Sequence, residues 1–158
     1  MPHRVQSLIP SEKSDSWRIF CFKNSQLRSI NLRQETKHMS IVLIVEENEG
    51  VREYVKDHVL DWGHTVLEAG TGAGAIVAIR ELQPDLVVMD VELPDMCGFD
   101  AVNLIRSDES TANTKVIALT ALDSEEGRSK AKEAQFAHYL TKPIIDIDSL
   151  RDTMHAHL

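Results

Sequence analysis

Carboxylate, hydroxyl and ammonium side chains each follow directly after a short apolar run in this chain. They belong to Glu46, Glu47, Asp90, Thr120 and Lys142. Neighbouring carboxylates repel one another, and a hard divalent cation such as Mg²⁺ relieves that repulsion. A carboxylate is also a nucleophile toward a phosphoryl group, whose charge during transfer is stabilised by Mg²⁺ and by a cation such as lysine. Together these residue types predict phosphoryl transfer onto a carboxylate.

The apolar runs that precede these side chains predict the elements that position them. Aliphatic and β-branched residues predict strands over residues 41–45, 64–68, 86–89, 116–119 and 137–141. Apolar residues at helical spacing, with Asn48 and Asp123 as helix starts, predict helices over residues 49–62, 71–82, 98–107, 123–134 and 147–158. Five alternations of strand and helix predict an α/β fold, a doubly wound five-stranded parallel sheet with helices on both faces.

The placement of the polar residues favours a single site. In an open α/β sheet, ligands bind beyond the carboxyl ends of the strands. The five residues follow the first, third, fourth and fifth predicted strands, so we predict that three carboxylates, a hydroxyl and an ammonium converge there. Taken singly each has a plainer interpretation, since an acid after a strand is most often a helix cap and a lysine before a proline is most often part of a loop. Their joint placement at four strand ends favours the site.

Composition and charge exclude several classes of protein. The chain has 158 residues, of which 42% are hydrophobic and 27% charged, as in one globular domain. Its apolar runs are far shorter than the roughly 20 residues of a membrane span. Residues 39–158 carry a formal charge of −12, which argues against direct binding of nucleic acid. Two cysteines form no disulfide framework and favour a cytoplasmic location.

Residues 1–38 differ from the rest of the chain. They carry a formal charge of +4 and show no regular apolar period. Three interpretations stay open: a disordered extension, a targeting peptide, or a segment outside the native product, with Met39 as the start. We favour the extension or the last of these, and we expect one domain over residues 39–158.

Residues 41–158 resemble response-regulator receiver domains of two-component signalling, of the single-domain chemotaxis-regulator type. The resemblance rests on residues 44–48 (IVEEN), 84–98 (PDLVVMDVELPDMCG), 118–121 (ALTA) and 139–143 (YLTKP). It implies the flavodoxin-like strand order 2-1-3-4-5. It also implies that Mg²⁺ or Mn²⁺ takes part and that a sensor histidine kinase or histidine phosphotransfer protein donates the phosphoryl group.

The resemblance also assigns roles to individual residues. It implies that Asp90 is the phosphoacceptor, and that Lys142, Thr120 and Ala121 contact the phosphoryl group. Thr120 and Tyr139 are the implied switch residues. The implied metal ligands are Glu46, Glu47, Asp90 and the backbone carbonyl of Glu92.

Two positions depart from the common pattern of that family. The acidic pair is usually Asp-Asp or Glu-Asp, and the extra methylene of Glu47 predicts a weaker site for Mg²⁺, which tolerates poor geometry badly. Many relatives have glycine where Gln135 stands, so we predict that the end of the fourth helix is arranged differently. Neither change removes the nucleophile, the hydroxyl or the lysine.

Two other functions are alternatives to that of a receiver that is phosphorylated. One is a receiver that is not phosphorylated and serves as an interaction scaffold. The other is an aspartyl-phosphate phosphatase, in which Glu92 would stand at the position of the acid/base residue. We expect a signalling protein, not an enzyme. No sequence follows the last predicted helix, so output is expected through protein contact at the fourth helix, fifth strand and last helix, from a monomer or a weak homodimer.

The segment Gly70-Thr71-Gly72-Ala73-Gly74 opens the second predicted helix and is rich in glycine. It lacks the third glycine of a dinucleotide-binding fingerprint, because Ala75 stands at that position. We interpret it as a flexible turn.

Overall fold

The computed structural model describes residues 39–144 and 146–158, so the expectations for residues 1–38 lie outside the described residues. Strands and helices alternate along the chain. The elements are β1 (Ile41–Val45), α1 (Glu49–Asp61), β2 (Thr65–Ala69), α2 (Gly72–Leu82), β3 (Leu86–Met89), α3 (Gly98–Ser107), β4 (Val116–Thr120), α4 (Glu125–Glu133), β5 (His138–Thr141) and α5 (Ile147–His157).

The five strands form one sheet in the order β2-β1-β3-β4-β5, and all pairs are parallel. The predicted α/β class and the strand order 2-1-3-4-5 are confirmed. The order reverses between β1 and β3, which are neighbours although β2 lies between them in the chain. Their carboxyl ends therefore flank the position where a parallel sheet of this kind binds its ligands.

Two apolar clusters cover the two faces of the sheet. Alternate side chains of β1 point to opposite faces, as the period of a strand requires: Leu43 and Val45 join one cluster, and Val42 and Ile44 join the other. The first cluster contains α2 and α3, and the second contains α1 and α5. The prediction of helices on both faces is confirmed.

Local signals set most of the helix ends. The side chain of Asn48 accepts a hydrogen bond from the backbone N–H of Val51, as expected of a helix cap. The predicted start of the fourth helix is wrong. Ser124, not Asp123, caps α4 by accepting from the N–H of Gly127, and Asp123 instead forms an ion pair with Arg128 at 2.8 Å.

The end of α4 also corrects a prediction. Gln135 has φ of 62°, the left-handed conformation that glycine usually provides after a helix. The helix therefore ends in the usual way, and the glutamine accepts the unfavourable backbone angle. Gln83 after α2 does the same with φ of 46°.

Within the described residues, none of the helices combines the length and the apolar character that crossing a bilayer would require.

Candidate functional site

Two buried carboxylates lie side by side where β1 and β3 end. The strands are in register, with Val45 opposite Met89, so the residues that follow them are neighbours. These residues are Glu46 and Asp90, which are 5% and 7% exposed. Because a buried negative charge is costly unless it is paired, this arrangement requires a cation.

Lys142 supplies that positive charge. It follows β5, and its backbone N–H donates to the carbonyl of Thr120 at 2.7 Å. Its Nζ donates to Oδ2 of Asp90 at 2.6 Å and to Oε2 of Glu46. Burial alone would lower the pKa of Lys142, but the hydrogen bonds and charges of the two carboxylates outweigh it, so the pKa is raised. The ammonium therefore stays charged between the two acids.

Backbone N–H groups hold the remaining carboxylate oxygens. The N–H of Glu92 donates to Oδ1 of Asp90, and the N–H of Asn48 donates to Oε1 of Glu46, both at 3.0 Å. The loop after β3 returns close to its own start, since a Cβ on Gly98 would lie 2.7 Å from the carbonyl oxygen of Asp90. Glycine at this position allows that approach, and both acids are thereby fixed in one orientation.

Glu47 is exposed on the surface, and among the described residues no hydrogen bond or ion pair joins its carboxylate to Glu46, Asp90 or Lys142. In the described residues, no three His, Cys, Asp or Glu side chains are placed together to hold a metal ion. The predicted convergence of three carboxylates is therefore correct for Glu46 and Asp90 and not for Glu47. The donor set still suits a hard divalent cation, since the carboxylates of Glu46 and Asp90 with the ammonium of Lys142 carry a formal charge of −1 and present oxygen ligands.

Thr120 ends β4 and is fully buried, while Ala121 beside it is exposed. The hydroxyl of Thr120 accepts a hydrogen bond from the backbone N–H of Leu122 at 3.3 Å. Among the described residues, no hydrogen bond joins this hydroxyl to Asp90 or to Lys142. The hydroxyl is thus near the carboxylates by position and is tied to the loop after β4.

Tyr139 contacts the same loop, the one that follows β4. Its hydroxyl donates to the carbonyl of Leu122 at 2.6 Å, and its ring lies 5.3 Å from the guanidinium carbon of Arg128. Burial raises the pKa of Tyr139, although the charge of Arg128 opposes it. A Cβ on Gly127 would lie 2.8 Å from the hydroxyl oxygen, so α4 leaves room for the tyrosine only because it has glycine there. Leu122 links both predicted switch residues.

A small internal cavity and a larger open cleft lie near the acids. A cavity of about 10 Å³ borders Glu46 and Asp90, which is room for no more than one water molecule. A larger open cleft of about 310 Å³ lies beside Lys142. Its lining residues are Asn48, Gly50, Val51, Tyr54, Lys142, Pro143 and Ile144.

Three residues that contact the site were missed in the sequence. Arg52 bonds the backbone of the acidic pair, Asp95 bonds the start of α2, and Leu122 joins the two switch residues. Asp95 lies within the predicted loop and is polar, but its partner is 23 residues away in the chain. No local pattern identifies a contact of that kind.

The sequence matches a family model and several characterised proteins. The family model of the response regulator receiver domain matches residues 42–155. The protein PilH of Pseudomonas aeruginosa is 32% identical over 120 residues, which cover 76% of this chain and 98% of PilH. The probable transcriptional regulatory protein TcrX of Mycobacterium tuberculosis is 38% identical over 102 residues, or 65% of this chain, but the match covers only 43% of TcrX.

Solved structures agree with the sequence relatives. The chemotaxis response regulator CheY4 of Vibrio cholerae has a TM-score of 0.71 and 27% identity, over 77% of this chain and all of CheY4. The receiver domain of the sensor histidine kinase PA1611 from Pseudomonas aeruginosa has a TM-score of 0.67 and 25% identity, over 75% of this chain and 97% of that domain. The PA1611 structure contains a magnesium ion coordinated in its active-site cleft.

Proposed function

Because this chain belongs to the response-regulator receiver family, we propose that it accepts a phosphoryl group on Asp90 in a two-component phosphorelay. The observation that carries the proposal is the environment of Asp90. Its carboxylate lies at the carboxyl edge of the sheet, with Nζ of Lys142 at 2.6 Å from one oxygen and the N–H of Glu92 at 3.0 Å from the other. Donors that hold a nucleophile in one orientation lower the barrier to its reaction.

The transfer step follows from these contacts. The donor is a phosphohistidine on a sensor histidine kinase or a histidine phosphotransfer protein. A carboxylate oxygen of Asp90 bonds to phosphorus while the bond between phosphorus and the donor's imidazole nitrogen breaks, and the imidazole leaves. Lys142 then donates to a phosphoryl oxygen, because the negative charge moves onto the phosphoryl group.

Glu46, Glu47, Asp90 and the carbonyl of Glu92 would hold Mg²⁺ or Mn²⁺. The cation, when bound, neutralises charge on the phosphoryl oxygens. Glu47 lies on the surface and must turn inward to contribute, and its longer side chain loses more rotamer freedom than aspartate would. We therefore expect weak binding of Mg²⁺.

The switch operates through Leu122. A phosphoryl group on Asp90 carries a charge of about −2 in place of the single negative charge of the carboxylate, and it attracts the hydroxyl proton of Thr120. Because the N–H of Leu122 bonds to that hydroxyl and its carbonyl accepts from Tyr139, movement of Thr120 disturbs the bond that holds Tyr139. The tyrosine is then free to turn inward.

Output takes place at the face formed by α4, β5 and α5. Few apolar side chains hold α4 to the sheet, since its buried residues are Gly127 and Ala131. Such a helix shifts at low cost when the loop before it moves. We expect a downstream protein to bind this face with α4 either in its present position or in the shifted one, but not in both.

The first test is intact mass after incubation with Mg²⁺ and acetyl phosphate. We expect one added phosphoryl group on the wild type, none on Asp90→Asn, and none on either when the metal is chelated. An adduct that survives Asp90→Asn would overturn the assignment of the nucleophile.

The exposed position of Glu47 favours a second candidate function, that of an interaction scaffold. If the wild type binds no Mg²⁺ and forms no adduct, the chain is an interaction scaffold of the receiver family. Turnover of small phosphate esters would instead favour a phosphatase.

A further inference from the structure

The glycine-rich segment that joins β2 to α2 contacts both loops that flank the carboxylates. We call residues 68–73 the β2–α2 junction. One loop contains the acidic pair after β1, and the other contains Glu92 after β3. The contacts involve neither Asp90 nor Lys142, so they are separate from the reacting groups.

Arg52 connects the junction to the acidic pair. Its Nη1 donates to the carbonyl of Glu46 at 2.7 Å and to the carbonyl of Glu47 at 3.2 Å. Its Nε donates to Oε1 of Glu68, at the start of the junction, at 3.3 Å. One guanidinium therefore binds two backbone oxygens and a carboxylate at once through two of its nitrogens, whereas a lysine would have to reach all three oxygens from a single nitrogen.

Asp95 connects the junction to the other loop. Its two oxygens accept from the N–H groups of Gly72 and Ala73, each at 2.8 Å. A Cβ on Gly72 would lie 2.5 Å from Cγ of Met96, so glycine lets the start of α2 lie directly against this loop. Asp95 stands three residues after Glu92, whose carbonyl is a proposed metal ligand.

We infer that the β2–α2 junction positions both ligand loops for a divalent cation, with Arg52 and Asp95 as positioning residues. The inference rests on the proposed function, since it concerns the same cation. Mg²⁺ requires a nearly regular arrangement of oxygens and is lost when ligands are displaced. A junction that fixes the spacing of two loops provides that arrangement before the cation arrives. It also gives the glycine-rich segment a function that is not nucleotide binding.

The test measures binding of Mn²⁺ to the full chain without a phosphodonor, by the electron paramagnetic resonance of the free ion. Arg52→Met is compared with Lys56→Met. Lys56 pairs with the same Glu68 at 3.5 Å and comes from the same helix, but it does not contact the acidic pair among the described hydrogen bonds. We expect the dissociation constant to rise about tenfold in Arg52→Met, as for loss of groups that orient metal ligands. Lys56→Met should change it less than about twofold, within what a surface charge contributes.

The role of Asp95 is tested with a control variant of its own. Asp95→Ala is compared with Asp108→Ala, because Asp108 also accepts backbone and side-chain hydrogen bonds but belongs to a turn after α3. Asp95→Asn and Arg52→Lys serve as conservative variants, in which we expect partial recovery of Mn²⁺ affinity. Thermal unfolding without metal checks that every variant folds.

The outcomes separate the two proposals. A wild type that binds no Mn²⁺ overturns both the proposed function and this inference. A wild type that binds Mn²⁺ and is phosphorylated, with Arg52→Met and Asp95→Ala no weaker than their controls, overturns only the inference. Affinity that falls in all four variants in proportion to their melting temperatures also overturns it, because the effect would then be one of stability alone.

Discussion

The centre of the sheet and the edge formed by β5 and α4 are packed differently. Every residue of β3 is buried, and Val42, Leu43, Ile44 and Val45 of β1 are at most 1% exposed. In β5, His138 is exposed and the next three residues are only half-buried. The carboxylates of Glu46 and Asp90 follow the central strands β1 and β3, whereas Lys142 follows the edge strand β5, in which the switch residue Tyr139 lies.

This difference separates two requirements of a phosphorylated switch. A nucleophile needs a fixed position, which close packing at the centre of the sheet provides. A switch needs two arrangements of similar free energy, and an element with few buried apolar contacts provides them more readily. Paired substitutions in the two regions measure how large this contrast is.

The largest expected difference is in packing energy. Ile44 in β1 and Leu140 in β5 belong to the same apolar cluster, but Ile44 is 1% exposed and Leu140 is only partly buried. We expect Ile44→Ala to lower the free energy of unfolding by about 2–5 kcal/mol, and Leu140→Ala by less than about 2 kcal/mol. Urea denaturation at equilibrium measures both. Equal losses would show that the edge is as tightly packed as the centre.

The second test concerns the central ion pairs. We expect Lys142→Met to destabilise the protein at pH 8 by about 1–3 kcal/mol, because two buried carboxylates lose their shared partner. Burial opposes but does not prevent the rise in the pKa of Lys142 above 10.5. The ion pairs of Lys142 therefore stabilise the folded state fully at pH values below 10.5. This stabilisation is lost as the pH rises through the raised pKa that Lys142 has in the folded protein.

Urea denaturation between pH 7 and pH 11 should show the difference between wild type and Lys142→Met shrinking only at the alkaline end. The matched control is Lys130→Met in α4. Lys130 pairs with Glu126 at 2.7 Å but is exposed, so solvent screens the pair and the loss should be smaller. A larger loss for Lys130→Met would contradict the comparison.

A third test concerns the edge itself. Gly127→Ala should favour helix formation in α4 by up to about 1 kcal/mol, but its Cβ would lie 2.8 Å from the hydroxyl of Tyr139. We therefore expect little gain in the wild type and a gain in the Tyr139→Phe background, where the hydroxyl is absent. A double-mutant cycle of unfolding free energies measures the coupling. Additive effects would mean that the tyrosine moves aside without cost.

The smallest expected effect concerns backbone strain, which occurs at the end of α4 and also at the end of α2. Gln135 after α4 and Gln83 after α2 are both left-handed, with φ of 62° and 46°. We expect Gln135→Gly to stabilise the protein by about 0.5–1 kcal/mol. Gln83→Gly should gain less, because it also loses the hydrogen bond from the side chain to the carbonyl of Arg80. Thermal unfolding measures both, and destabilisation by Gln135→Gly would contradict the argument.

Much of this architecture can be predicted from the sequence, because it depends on local pattern. Runs such as residues 41–45 and 86–89 are apolar throughout, and such runs suit strands buried on both faces. The helix starting at Glu49 was predicted from the Asn48 cap. The α4 start was misplaced because Asp123 and Ser124 are both good caps, and only the backbone conformation decides between them.

The alternation of strands and helices can be read from the amino-acid sequence alone, and so can the strand ends at which Glu46, Asp90, Thr120 and Lys142 lie. Only the tertiary structure decided which side chains meet: Lys142 reaches both buried acids, while Glu47, adjacent to Glu46 in the chain, lies on the surface. Only it revealed the contacts of Arg52 and Asp95. Burial and the alternation of strands and helices follow from apolar periodicity, whereas a hydrogen bond depends on the positions that distant segments take when they pack.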